Sequence, residues 1–88
     1  MAVPTYRRAT ELMEAEVGDE IVALDAQNGQ CFGFNSVAAS IWRALAQPRT
    51  FEELKQALLD EYDVETERCS EDLRAMLREM SDKGLVER

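Results

Sequence analysis

Residues 27–42, QNGQCFGFNSVAASIW, decide the fold. Asn28-Gly29 is a strong hairpin signal, because both residues tolerate positive φ. Gln30 to Phe34 is the returning strand. Within it, Phe32 and Phe34 share the parity that should face a core, and Cys31 and Gly33 have the other. Asn35 and Ser36 can each accept a hydrogen bond from an orphan amide at a helix start. Val37, Ala38, Ile41, Trp42 and Leu45 then follow helical spacing. The stretch therefore holds a turn, a strand and a helix start, and it carries neither a catalytic constellation nor a basic patch.

Upstream, IVALD (Ile21 to Asp25) reads as a strand, and its continuity suggests a central position or burial on both faces. Gly18 and Asp19 supply a turn before it. From Glu11 to Val17 the period is two: Met13, Ala15 and Val17 alternate with Leu12, Glu14 and Glu16, which predicts a half-buried strand. The first ten residues show no period. They are expected to form a flexible arm, residues 1–10, ahead of one domain over residues 11–88.

Downstream, the first helix should end near Gln47, just before Pro48. Thr50 and Glu53 fit a capping box, and Phe51, Leu54, Leu58 and Tyr62 form the apolar stripe of a second helix fading at Asp63. A third helix begins after Thr66 and runs to about Lys83, with Cys69, Leu73, Met76, Leu77 and Met80 on a broad apolar face. Gly84 suits the left-handed position that stops it, and Leu85 and Val86 can fold back onto the core. The order is three antiparallel strands followed by three helices, an α+β class. So small a sheet must have its two edges covered, blunted or used.

The bulk composition excludes several functions. With 88 residues, 45% hydrophobic and 32% charged, the chain suits one thin-cored globular domain. No apolar run approaches the roughly 20 residues that span a bilayer, and nothing apolar follows Arg7-Arg8 as in a signal peptide. A cytoplasmic protein without a membrane partner is expected. The net charge of −8 repels phosphate backbones. In the last segment Arg68, Arg74, Arg78, Lys83 and Arg88 are interleaved with Glu67, Glu71, Asp72, Glu79, Asp82 and Glu87, so nucleic acid is a poor partner.

Two cysteines, Cys31 and Cys69, without any histidine do not make a usual structural zinc site, and they read as small semi-buried hydrophobes. The usual catalytic base is missing, and neither a nucleophile elbow nor a phosphate-cradling glycine loop occurs. The acidic run Asp60, Glu61, Asp63 and Glu65 lacks the spacing of a calcium loop and reads as a solvated helix end. No enzyme, metal or cofactor is expected.

Two features remain as candidates for binding. Gly33 weakens a strand interior unless another chain approaches closely, so Gln30 to Phe34 can be an open edge that accepts a peptide as an added strand. Met76 and Met80 share a helix face with Leu73. Such a stripe is most often core, but a thin core leaves part of it to line a groove, and methionine suits an adaptable one.

These residues together resemble a family. IVALDAQNGQCFGFNSVAASIW, TFEELKQALLDEYDV and EDLRAMLREMSDKGLV are similar to the PqqD-like domains, also called RiPP recognition elements. The resemblance rests on Leu24-Asp25, Asn28-Gly29, Phe34-Asn35, Ile41-Trp42, Thr50 with Glu53-Leu54, Tyr62-Asp63-Val64, Asp72-Leu73 and Lys83-Gly84-Leu85. It covers about residues 11 to 86. No single motif is diagnostic; the ordered set is fairly specific.

The resemblance implies a winged-helix-like fold that binds the leader segment of a ribosomally made precursor peptide. The leader would add as a strand to Gln30, Cys31, Phe32, Gly33 and Phe34. Its other wall would come from Cys69, Asp72, Leu73, Met76 and Met80, with Arg74 and Arg78 as partners for leader carboxylates. The chain looks more like the free-standing members of lasso-peptide pathways, which deliver the precursor to a leader peptidase and cyclase, than like the PqqD chaperone. The same edge could pair two copies into a homodimer. A winged-helix DNA-binding regulator is the rival expectation, and its signature would be tight, salt-sensitive duplex binding. A third is a toxin–antitoxin-type interaction protein, which a neighbouring gene would reveal.

Overall fold

In a computed structural model of the chain, residues 3–88 are described; Met1 and Ala2, the start of the expected arm, lie outside them. The elements run β1 (Thr5–Arg8), β2 (Met13–Val17), β3 (Glu20–Asp25), β4 (Gln30–Phe34), α1 (Ser36–Ala44), β5 (Arg49–Thr50), α2 (Phe51–Glu61), α3 (Thr66–Asp82) and β6 (Val86–Glu87). Sheet β2-β3-β4 is an antiparallel meander, and a second small sheet has the order β5-β1-β6.

The second sheet corrects the expectation of a loose arm. Thr5 and Tyr6 pair with Thr50 and Arg49, while Arg7 and Arg8 pair with Glu87 and Val86. The inward residues of β1 are Tyr6 and Arg8, so no hydrophobic period marks it. Otherwise the α+β class and the succession of a three-stranded meander and three helices agree with the sequence reading. The winged-helix likeness stays an implication of the resemblance.

Strand β3 is central, as expected, but it is buried on one face only. Ile21, Ala23 and Asp25 point inward, while Val22 and Leu24 are 44% and 41% exposed. Register then fixes β2. Glu14 sits opposite Ala23 and Glu16 opposite Ile21, so the glutamates take the inner face. Met13 and Val17 are 67% and 64% exposed, the reverse of the half-buried apolar stripe expected there. Alternation sets the period of a strand, not which parity turns inward. Here polar partners choose it: Trp42 Nε1 donates to Glu14 Oε2 at 2.9 Å, and Arg43 Nε donates to Glu16 Oε1 at 3.1 Å.

The β3–β4 turn has four residues, 26–29, and only Gly29 takes positive φ, at +65°. Asn28 serves the turn differently from the expected positive φ. Its Nδ2 donates to Asp25 Oδ2 at 2.7 Å, and the backbone N–H groups of Gln27 and Asn28 donate to Oδ1. These bonds, that from the Asn28 side chain first, hold the Asp25 carboxyl below its ordinary value and satisfy the one buried charged group among the described residues.

The helix ends follow their local chemistry. Asn35 Oδ1 accepts from Ala38 N at 2.9 Å and caps α1. The Thr50–Glu53 capping box is formed in both directions. At the end of α3, Gly84 has φ +74°; its N–H donates to Ser81 O, and Leu85 N–H donates to Met80 O, a Schellman motif. That reversal sends Leu85 and Val86 into the core, where both are buried.

Trp42, fully buried, joins the layers. Its ring lies 5.4 Å from that of Phe34, and the Arg8 guanidinium stacks 4.3 Å above it. Arg8 Nη2 also donates to the Trp42 carbonyl at 2.5 Å. One indole thus ties β1, β2 and β4 to α1.

Candidate functional site

Strand β4 pairs with β3 along one side only; among the described residues its other long side is unpaired. Beside that edge runs α3. Between them lies a cleft of about 310 Å³ lined by Cys31 to Asn35 and Ala38 on one side, and by Met76, Glu79, Met80, Lys83 and Leu85 on the other. Positions 76, 79, 80 and 83 share one flank of a helix, so the last two turns of α3 and its capping residue supply most of the wall.

The lining is apolar at depth and charged at the mouth. Phe34 and Met80 are buried, and Phe32 and Met76 are half-buried against the core. At the rim Lys83 Nζ meets Glu79 Oε1 at 3.3 Å, an exposed pair that a guest can rearrange cheaply. At Gly33 an added Cβ would meet nothing within 4 Å. Among the described residues no group crowds that position, so the glycine leaves the rim bare.

Met76 also lines a second hollow of about 110 Å³, with Val37, Leu58, Tyr62, Val64, Cys69, Asp72 and Leu73. It lies toward the start of α3 and shares only Met76 with the cleft. Burial pushes the Cys69 thiol up, nearby Asp72 adds to this, and the group stays a neutral hydrophobe. Cys31 is exposed, against the expectation that both cysteines are semi-buried.

The structure brings together Cys31, Phe32, Gly33, Phe34, Met76 and Met80 of the residues expected from sequence. Gln30 stands at the far end of β4, outside the lining. Cys69, Asp72 and Leu73 belong to the neighbouring hollow, and Leu73 is wholly core. Arg74 and Arg78, expected as partners for leader carboxylates, do not line the cleft. They line a groove on the other flank of α3 with Tyr6, Phe51, Leu77, Ser81 and Arg88. At 100° per residue, positions 74, 78 and 81 point on average about 180° away from 76, 79, 80 and 83. Counting three, four and seven residues on from Met76 would have found Glu79 and Lys83, which the sequence reading missed. Asn35, Ala38 and Leu85 have no such signal, since the chain reversals at the ends of β4 and α3 place them.

Chemically, this arrangement can hold an extended chain: backbone donors and acceptors line one side, and an adaptable apolar wall the other. Among the described residues no three His, Cys, Asp or Glu side chains are grouped to hold a metal ion, and no helix is long and apolar enough to cross a membrane.

Comparison with known proteins agrees with this geometry. The profile of the family described as Coenzyme PQQ synthesis protein D (PqqD) matches residues 20–86. A solved structure, TbiB1 in complex with the TbiA(beta) leader peptide, is similar with a TM-score of 0.81 and 33% identity, over 92% of this chain and 94% of that one. No curated protein matches the chain. With the profile match spanning β3, β4, all three helices and the cleft lining, and a structural likeness of nearly full length, the chain belongs to the PqqD family.

Proposed function

We propose that this domain is a non-catalytic peptide chaperone. It takes the leader segment of a ribosomally made precursor as a strand added to β4, and it presents that leader to processing enzymes, a leader peptidase and a cyclase of a lasso-type pathway. The observation that carries this reading is the unpaired β4 edge facing an apolar wall across the 310 Å³ cleft. The related TbiB1, solved with a leader peptide, supports it.

Magnitudes say what each part of the site contributes. A guest strand along β4 gains about four main-chain hydrogen bonds, worth roughly 0.5–1.5 kcal/mol each. About 4 kcal/mol corresponds to millimolar binding. Two apolar guest side chains seated beside Phe32 and Met76 add roughly 1.5–3 kcal/mol each, which brings the gross total into the micromolar range before ordering costs. The edge therefore supplies a general grip, and the cleft supplies selection among peptides.

Calorimetric titration of the leader of a short precursor encoded beside this gene tests the reading. Saturable one-to-one binding is expected. Met76→Asp should weaken it at least tenfold, about 1.4 kcal/mol, by placing a charge in the wall. Gly33→Pro should abolish it with helical circular dichroism retained. Should both variants fold and bind the leader as the parent does, the leader sits elsewhere.

A further inference from the structure

The chain carries ten cationic side chains, and six of them, Arg7, Arg8, Arg43, Lys55, Arg68 and Lys83, lie within 4 Å of a carboxylate. Of the other four, Arg49 donates to the Ala44 carbonyl. The remaining three, Arg74, Arg78 and Arg88, line one groove of about 510 Å³ whose lining contains no Asp or Glu side chain. Glu71 and Asp82 lie one helical turn from Arg74 and Arg78, yet neither comes within 4 Å of them. In a chain with 18 acidic residues, these three gathered cations have no Asp or Glu side chain within 4 Å among the described residues.

Two of the three are also held in place. Arg74 lies over the Phe51 ring at 5.1 Å, and Arg88 over the Tyr6 ring at 5.6 Å. Stacking occupies the flat face of a guanidinium and leaves its N–H edge free. That edge is the fork that matches a carboxylate in bidentate fashion. Like charges drawn together repel one another, and an incoming anion relieves the repulsion.

We propose that this groove is a second docking site, for a short acidic segment of a partner protein, on the opposite flank of α3 from the leader cleft. Carboxylates of that segment bind the three guanidiniums, and its apolar side chains rest on Tyr6, Phe51 and Leu77. A duplex suits the groove poorly, because its continuous phosphates run past the three arginines onto a body of net charge −8. Because the two sites lie on different flanks, a leader and an acidic segment are held at once. This inference does not depend on the leader reading.

The test is fluorescence anisotropy of a fluorescein-labelled octaglutamate at about 20 mM salt, where surface charges are weakly screened. Saturable binding is expected, falling at least tenfold in the Arg74→Glu/Arg78→Glu double variant and unchanged in Met76→Asp. Arg78→Gln alone, an exposed neutral change, should give an intermediate loss. Absence of saturable binding to the parent, or equal binding by the double variant, overturns the proposal. So does duplex DNA outcompeting the peptide. If the double variant also loses the leader, the groove belongs to the leader site and there is no second one.

Discussion

Glu14→Ala should cost this domain about 2–3 kcal/mol, although Glu14 stands on a largely exposed strand. The larger part comes from Trp42. Its indole is fully buried, and its Nε1 donates to Glu14 Oε2 at 2.9 Å. Removing the acceptor orphans that donor, which costs about 1–3 kcal/mol, the low end applying if a water takes the vacated place. The smaller part is the Arg8–Glu14 pair at 3.5 Å, with side chains 28% and 30% exposed, worth about 0.2–1 kcal/mol. An 88-residue domain has roughly 4–13 kcal/mol in all, so the loss is a large share. It corresponds to a drop of about 10–20 °C in Tm. Glu14→Gln keeps an acceptor oxygen and should lose less than about 1 kcal/mol. Urea unfolding followed by fluorescence reads the effect at its source, since Trp42 is the sole tryptophan. Equal midpoints for the alanine and glutamine variants would refute the argument, because the bond to the indole would then be worth nothing.

The turn makes two further predictions. The Asp25 carboxyl is held below its ordinary 3.8 by hydrogen bonds chiefly from Asn28, so folding gains stability above that value and loses it as pH falls through the folded-state pKa. Glu53, held down mainly by the Thr50 backbone N–H, acts with the same sign. Asp25→Asn should therefore flatten part of the acid limb of a stability–pH curve below about pH 4, and an unchanged slope counts against the turn. At Gly29, with φ +65°, alanine should cost about 1–2 kcal/mol, whereas Gly33→Ala, with open space around the new methyl, should fold as well as the parent or up to about 1 kcal/mol better. Denaturation midpoints that place the two substitutions in the other order would contradict the backbone geometry.

What could be read from the sequence had a local cause. The cap at Asn35, the Thr50–Glu53 box, the Gly84 stop and the bounds of β4 each depend on residues within a few positions of one another. What could not be read depends on remote partners. β1 takes its place because Thr50, Arg49, Val86 and Glu87 come to it, and no period within Thr5–Arg8 announces that. The parity of β2 is chosen by an indole and two arginines, so an apolar alternation misleads there. For the site, Cys31 to Phe34, Met76 and Met80 were readable as an edge and a wall. Arg74 and Arg78 lie on the other flank of α3, because their angle around the helix, not their charge, sets which groove they line.

The unpaired border of β4 that would take a guest strand could equally take a sibling. With a surplus of eight negative charges, siblings push each other away at neutral pH, while a short guest of little charge feels almost none of that force. Solubility and receptivity thus share one electrostatic cause. Toward pH 4.4, where the surplus vanishes, that repulsion is lost and the same border would be expected to seed precipitation.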